Sequence, residues 1–350
     1  MFTLLRNFLI TAGAGIVLFG LTYAVEPFRD YQLATVAAYL CATAGLTVLI
    51  GLNGQVSLGH GALMAVGAYT VALVQNAFAD ANHYAQWTIV VSLLLGIVAA
   101  LVAGVVIGLA AARLRGPYLA GVTLAVAVVV PAFATVFSGT FKGDQGLSVA
   151  VPPPPEALGL DFPVERWQAW LALIAALLVM LLLANLAGSR FGRMFRAVRD
   201  NEVAARLAGI HVARTQVLAF VVSAACAGLA GGMFAILSQS VSPSAFSLTL
   251  SLYLLLAVVL GGLGSLAGAV WGAVALVLLP ELLSSLTNAM DLSPAAAQRL
   301  EGNLPLAIFG LTLIVVMIGA PSGIQGAINR LTRRIRKPQE SRLTKGGATT

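Results

Sequence analysis

Apolar residues run along this chain in long blocks, with small residues threaded through them and charged residues held in the gaps between. A helix needs about 20 residues to cross a bilayer core some 30 Å thick. Blocks of that order predict about ten spans: 8–25, 31–50, 58–78, 87–111, 117–137, 167–187, 214–237, 248–262, 267–286 and 303–320. The first follows Arg6 and has the outline of a leader. It is long, however, and no small-x-small cleavage site precedes Glu26, so it is expected to be a retained helix.

Three polar interruptions stand out. The longest with a helical interior is Arg190 to Arg214, between the sixth and seventh blocks. Within it Asp200 is placed to cap a short helix, Glu202 sits where the helix dipole favours a carboxylate, and Gly209 supplies a left-handed stop. Such a helix, about eight residues and roughly 12 Å long, would give a partner something to push. An ordinary basic loop is the plain alternative.

The second interruption is Gly51 to Tyr69, where Asn53, Gln55, Ser57 and His60 alternate with Gly54, Gly59 and Gly61. Glycine permits sharp turns, and Ser57 is placed to cap the helix that follows. A helix broken beside a pathway presents backbone N–H groups to a carboxylate or other polar ligand group. A turn joining two spans is the bland reading. The third, Gly261 to Gly268, includes Gly262, Gly264 and Ser265 and reads as a tight turn or re-entrant bend. Its echo of Gly54 to Leu58 is too short to establish a repeat.

Composition fixes the class. Hydrophobic residues make up 59% of the 350, charged residues 9%, and mean hydropathy is +0.94. A soluble domain carries about a quarter charged residues. The 36 glycines suit close helix packing in lipid. An all-α polytopic membrane protein follows. Cys41 and Cys226 both fall inside spans, without metal-ligand spacing, and read as small packing residues.

Charge sets the expected orientation. With the N-terminus cytoplasmic, sixteen basic residues lie inside and only Arg29, Lys142, Arg166 and Arg299 outside. Most acids, among them Asp80, Asp144, Glu156, Asp161 and Glu165, fall outside. Both termini and the 190–214 segment are then cytoplasmic. The net charge of +7 is a membrane-flank signal and not a nucleic-acid one. The basic tail, 331–350, is expected to be disordered and to rest beside anionic lipid. The longest outer segment, 138–166, carries Gly139, Gly143 and Gly146 and the rigid run Pro152 to Pro155. Segments of that length are often functional.

Catalysis is poorly supported. His60, His83 and His211 form no cluster, and the three lysines, Lys142, Lys337 and Lys345, follow Phe141, Arg336 and Thr344. No Gly-Lys-Ser/Thr exists, so the chain is not its own P-loop ATPase. Glu281, after Pro280, is the acid well inside an apolar run, and it lies near a helix end.

These interruptions also carry a resemblance. Asn53-Gly54-Gln55-Val56-Ser57-Leu58-Gly59-His60-Gly61 followed by Gly67-Ala68-Tyr69 resembles the signature of branched-chain amino-acid ABC importer permeases of the LivM type. Arg199-Asp200-Asn201-Glu202-Val203-Ala204-Ala205, then Gly209, is similar to that family's ATPase-docking loop. Val258 to Ser265, then Leu279 to Leu282, and Gly143-Asp144-Gln145-Gly146-Leu147 also match in the expected order. The broader Glu-Ala-Ala-x-x-x-Gly motif is not reproduced. Val203-Ala204-Ala205 fills its first three positions, Glu202 falls one place early, and Ile-x-Leu-Pro is absent.

The resemblance implies a type II importer permease domain over 1–330, in the bacterial inner membrane. Residues 190–213 would be the cytoplasmic coupling loop and 138–166 the periplasmic loop. It implies a second homologous permease, two cytoplasmic ATPases that use ATP and Mg, and a periplasmic solute-binding protein. This chain itself would bind no cofactor. Arg199, Asp200, Asn201, Glu202, Ala204, Ala205 and Gly209 become coupling candidates. Asn53, Gly54, Gln55, Ser57, Gly59, His60, Gly61, Gly262, Gly264 and Ser265 become pathway or gate candidates. Gly143, Asp144, Gly146 and Leu147 become binding-protein docking candidates. Related permeases carry urea, amides, aromatic acids or sugars, and nothing in the spans selects among cargoes. A stand-alone secondary transporter or channel predicts buried charges near the membrane midplane, and the spans hold almost none.

Overall fold

Proline and glycine punctuate the apolar blocks where the expected ends fall, and a computed structural model shows the resulting helices. It describes residues 2–289 other than 115 and 160, and residues 310, 311, 314, 315, 318, 322–330 and 332. The expected span 303–320 lies mostly outside the described residues, as does nearly all of the tail 331–350.

The helices are α1 (Phe2–Ala24), α2 (Pro27–Leu46), α3 (His60–Asp80), α4 (Gln86–Ala111), α5 (Pro117–Val136) and α6 (Ser138–Phe141). Then follow α7 (Val164–Gly188), α8 (Arg190–Asp200), α9 (Glu202–Leu207), α10 (Val212–Ser238), α11 (Leu248–Gly261) and α12 (Leu266–Ala289). Pro27 and Pro117 open their helices, where a missing N–H costs nothing and the fixed φ already suits the turn. Among the described residues eight helices are long and apolar enough to cross a membrane, and Leu266–Leu282 is a shorter apolar helix.

The core gathers on α10, which packs against α2, α3 and α4. Leu46, Leu49, Leu63, Met64, Phe220, Met233 and Ile236 are fully buried there. In lipid the helices gain nothing from leaving water, so close approach must supply the attraction. Gly231 of α10 lies directly on the Met64 carbonyl of α3, where a methyl group would overlap it. α1 packs at the periphery on α7, joined by the Asn7–Asn185 and Trp170–Thr22 hydrogen bonds at 2.9 and 3.1 Å.

The spans alternate in direction, which sorts the connections onto two ends. One end carries the break that follows α2, the turn between α11 and α12, and α8 and α9, with Gly51 against Gly264 and Gly54 against Arg199. The other carries the 138–162 segment and a buried ion pair, Asp30 Oδ2 to Arg166 Nε at 3.2 Å. The Arg166 guanidinium lies 5.2 Å from the Tyr23 ring centre.

Two expectations need correction. The fold is not purely helical, because Leu147–Ser148 (β1) pairs antiparallel with Ser240–Val241 (β2). Backbone tucked against a bundle must find partners, and the short ladder supplies them. Asn76 extends the clamp, donating to the Ser148 carbonyl at 2.7 Å and accepting from Ala150 N at 3.0 Å. The polar stretch after Gly188 is also two helices rather than one. In α8 the buried residues Gly192, Phe195 and Val198 recur at helical spacing.

Candidate functional site

Three segments remote in sequence converge at the end that carries α8 and α9. The first is the break between α2 and α3. After Leu46 the helix widens into a π-helical stretch, Thr47–Leu52. Its last carbonyls are then taken one by one: Val48 by Asn53 N, Leu49 by Gln55 N and Ile50 by Gly54 N, each at 3.1 Å. Gly54 allows this turn with φ +77°. The chain then runs irregularly to His60.

The polar side chains of this segment point inward, while Gly54 and Val56 are exposed. Asn53 is 3%, Gln55 5%, Ser57 1% and His60 0% exposed. Asn53 donates to Gln55 Oε1 at 2.7 Å. Asn53 Oδ1 and Gln55 Nε2 have no hydrogen-bond partner among the described residues. His60 Nε2 lies 3.1 Å from the Ala42 carbonyl. Neighbouring spans satisfy backbone donors: Leu58 N bonds Thr123 Oγ1 of α5, and Gly61 N bonds Ser251 Oγ of α11, both at 3.0 Å. The Gly61 N–H, one of the backbone donors at the break, is therefore occupied. Ser57 does not cap α3 from the boundary position, which is Gly59. Its hydroxyl accepts from Gly59 N at 3.4 Å.

The second segment is α8 and α9. Two arginines of α8 reach back to carbonyls at the ends of spans, where orphan oxygens and the helix dipole favour a cation. Arg196 Nη2 donates to the Ala187 carbonyl of α7 at 3.2 Å. Arg199 Nη1 donates to the Gly51 carbonyl at 2.7 Å. The rest of the Arg199 fork holds Asp200 Oδ1, with Nε at 2.9 Å and Nη2 at 2.8 Å.

Asn201, not Asp200, caps α9. Its Oδ1 accepts from Val203 N and Ala204 N, both at 3.0 Å, while Asp200 ends α8. The amide and the carboxylate are close to equal as caps, so residue type alone could not choose between them. Gly209 does end the helix as expected, at φ +82°. Glu202 turns inward to α10 and accepts from Gln216 Nε2 at 3.1 Å.

α9 buries only Ala205, against a small cluster with Val198 and Val212. Val203 and Leu207, one helical turn apart, are 68% and 86% exposed. They form an apolar stripe facing outward that the sequence reading did not single out. Their i, i+4 spacing was the available signal.

The third segment is the turn between α11 and α12. Gly262 and Gly264 adopt φ +120° and +80°, and Ser265 Oγ accepts from Gly268 N at 3.3 Å, capping α12. Gly51 and Gly264 meet backbone to backbone. A Cβ on Gly51 would stand 2.5 Å from Gly264 Cα, and one on Gly54 would stand 2.8 Å from Arg199 Cγ.

Between the first two segments lies a cavity of about 450 Å³, lined among others by Asn53, Gln55, Leu119, Arg199, Glu202 and Gln216. Its polar lining combines amides, the Arg199 guanidinium and the carboxylates of Asp200 and Glu202. Among the described residues no three His, Cys, Asp or Glu side chains gather as for a metal.

The docking candidates sit at the opposite end. Gly143 and Leu147 are buried, Gly146 is half-buried and Asp144 is exposed. Gly143 and Gly146 have φ +55° and +78°, so they shape the loop that presents Asp144. Phe141 packs edge-on against Tyr69 of α3, with ring centres 5.2 Å apart.

A family model described as branched-chain amino acid transport system, permease component, matches residues 29–320. The chain is 33% identical over 313 residues to the high-affinity branched-chain amino acid transport system permease protein LivM of Salmonella typhimurium. It is 32% identical over 312 residues to LivM of Escherichia coli. Each match covers 82% of this chain and 67% of the relative. LivH of Escherichia coli is 23% identical over 299 residues, covering 83% of this chain and 92% of that one. No solved structure matches it significantly.

Proposed function

Because this chain belongs to the family of permease components of branched-chain amino acid transport systems, we infer that it lines the membrane pathway of an ATP-driven importer for those amino acids. It is a multi-pass protein of the bacterial inner membrane and a transport component rather than an enzyme. The observation that carries the coupling part of the reading is α9. A six-residue helix, capped at both ends, presents Val203 and Leu207 outward while its root is tied to the α2–α3 break.

In this reading the end with α8 and α9 is cytoplasmic. The clustering there of Arg190, Arg193, Arg196, Arg199, Arg206 and Arg214 supports it, against Asp80, Asp144, Glu156 and Glu165 at the other end. Both termini are cytoplasmic and about ten spans cross the membrane. One of two ATPases, which use ATP and Mg, docks on α9, and a second homologous permease completes the pathway. A periplasmic binding protein delivers the amino acid near Asp144. ATP-driven closure moves α9, and the break beside Asn53 and Gln55 responds, so that the pathway exchanges its open side.

The test is purification of the chain from its native membrane with identification of what stays bound, followed by uptake of radiolabelled leucine into proteoliposomes. Recovery of a second permease and P-loop ATPases, with ATP-dependent uptake, is the expected result. A chain that purifies alone and moves leucine without ATP would sink the reading.

A further inference from the structure

We propose that Arg199 is the positioning residue that passes movement of α9 into the membrane, through its bond to the Gly51 carbonyl. This rests on the importer reading above and concerns a step inside this chain, not the contact with the ATPase. Val48, Leu49 and Ile50 each find a backbone partner past the end of α2, and Gly51 finds Arg199. The guanidinium thus completes the helix end from another element 148 residues away.

The joint has little slack. Gly54 is the floor under the Arg199 side chain, and Gly264 closes the far side, its Cβ position 3.7 Å from Nη1. A movement of Arg199 therefore presses on both glycine-rich turns, the one after α2 and the one after α11. On the other side, Asp200 steadies the fork and Asn201 leads directly into α9. The Arg199–Asp200 pair is itself well exposed, at 38% and 64%, and an exposed pair contributes little. The carbonyl bond is the strong one, because it is charge-assisted and its loss strands an oxygen at a helix end.

A planar guanidinium holds Asp200 and the Gly51 carbonyl at once, in fixed directions. An ammonium is a point donor on a shorter stem and cannot keep both with the same geometry. Removing the link should therefore leave ATPases bound and turning over, while import per ATP is lost. A residue that merely touched the ATPase would behave in the opposite way.

The experiment uses the complete importer in proteoliposomes, with the binding protein inside or outside as orientation requires. Radiolabelled leucine imported per ATP hydrolysed is measured for the unaltered complex, Arg199→Gln and Arg199→Lys. The expected result is a ratio roughly tenfold lower for Gln, the scale of one charge-assisted hydrogen bond, and an intermediate ratio for Lys. Co-purified ATPase should be unchanged in both. Loss of ATPase from either variant would make Arg199 a docking residue and overturn the proposal, as would an unaltered ratio. If Gln fails to yield a folded complex, Lys decides by the same two readings. An unaltered complex that imports no leucine would instead count against the importer reading itself.

Discussion

Replacing Asn201 with Ala should loosen α9 without disturbing the bundle. The side chain accepts two backbone donors, Val203 N and Ala204 N, at 3.0 Å each. Removal of a side-chain cap costs about 0.5–2 kcal/mol. α9 has six residues, far fewer than the roughly 12 to 15 at which an isolated helix becomes even marginally stable in water. Its remaining restraints include buried Ala205, the Ile210 N bond to the Ala205 carbonyl at 2.9 Å, the Glu202–Gln216 contact and an exposed Arg206–Glu202 ion pair at 3.9 Å that contributes little. The cap is therefore a large share of what holds the helix, and its loss should raise local opening about 2- to 30-fold, since 1.4 kcal/mol is a factor of ten. Hydrogen exchange followed by mass spectrometry on peptides covering residues 200–210 reads this directly. Asn201→Ser should exchange nearly as slowly as the unaltered chain, because serine ranks with asparagine as a cap. Peptides from α3 and α10 should be unchanged in both. Equal exchange in the Ala variant and the unaltered chain would mean that tertiary contacts alone hold α9, and the reasoning would be wrong.

Val203→Ser combined with Leu207→Ser should abolish co-purification of the ATPase that docks on α9. The melting temperature should stay within error, because both side chains already face outward. Asp30→Asn should lower the melting temperature, because breaking a buried pair costs about 3–5 kcal/mol, at the lower end here since the Arg166 side chain is 17% exposed. An Asp30→Asn, Arg166→Gln double variant should lose less than the sum of the two single changes, and strict additivity would show that the pair is not coupled. Gly231→Ala should destabilise by about 1–3 kcal/mol through overlap with the Met64 carbonyl. Gly121→Ala, which meets nothing within 4 Å, should be neutral or slightly stabilising by thermal melting in detergent.

The membrane helices were legible because a run of apolar residues is a local property. The block expected at 214–237 is α10, Val212–Ser238, and that expected at 248–262 is α11, Leu248–Gly261. Gly209 was legible for the same reason, since its neighbours demand a left-handed residue to stop a helix. The cap of α9 was not, because Asp200 and Asn201 are equally suited and only the end of α8 decides between them. Nor was the partner of Glu202. The dipole argument placed it correctly at a helix start, but Gln216 lies fourteen residues on, and only the packing of α9 on α10 brings them together.

By itself the sequence determined what each stretch of chain prefers: lipid or water, helix or break, basic end or acidic end. It placed Asn53 to Gly61, Arg199 to Gly209 and Gly262 to Ser265 as three separate interruptions. Only the tertiary structure decided that Gly51 and Gly264 touch and that Arg199 bonds the Gly51 carbonyl. The physical reason is that hydropathy and helix propensity act over a few residues, whereas a hydrogen bond across 148 residues exists only once the spans have packed. Glycine made that packing possible by leaving room for backbone and guanidinium to approach. A glycine in the sequence states that room is present, and only the fold states what fills it.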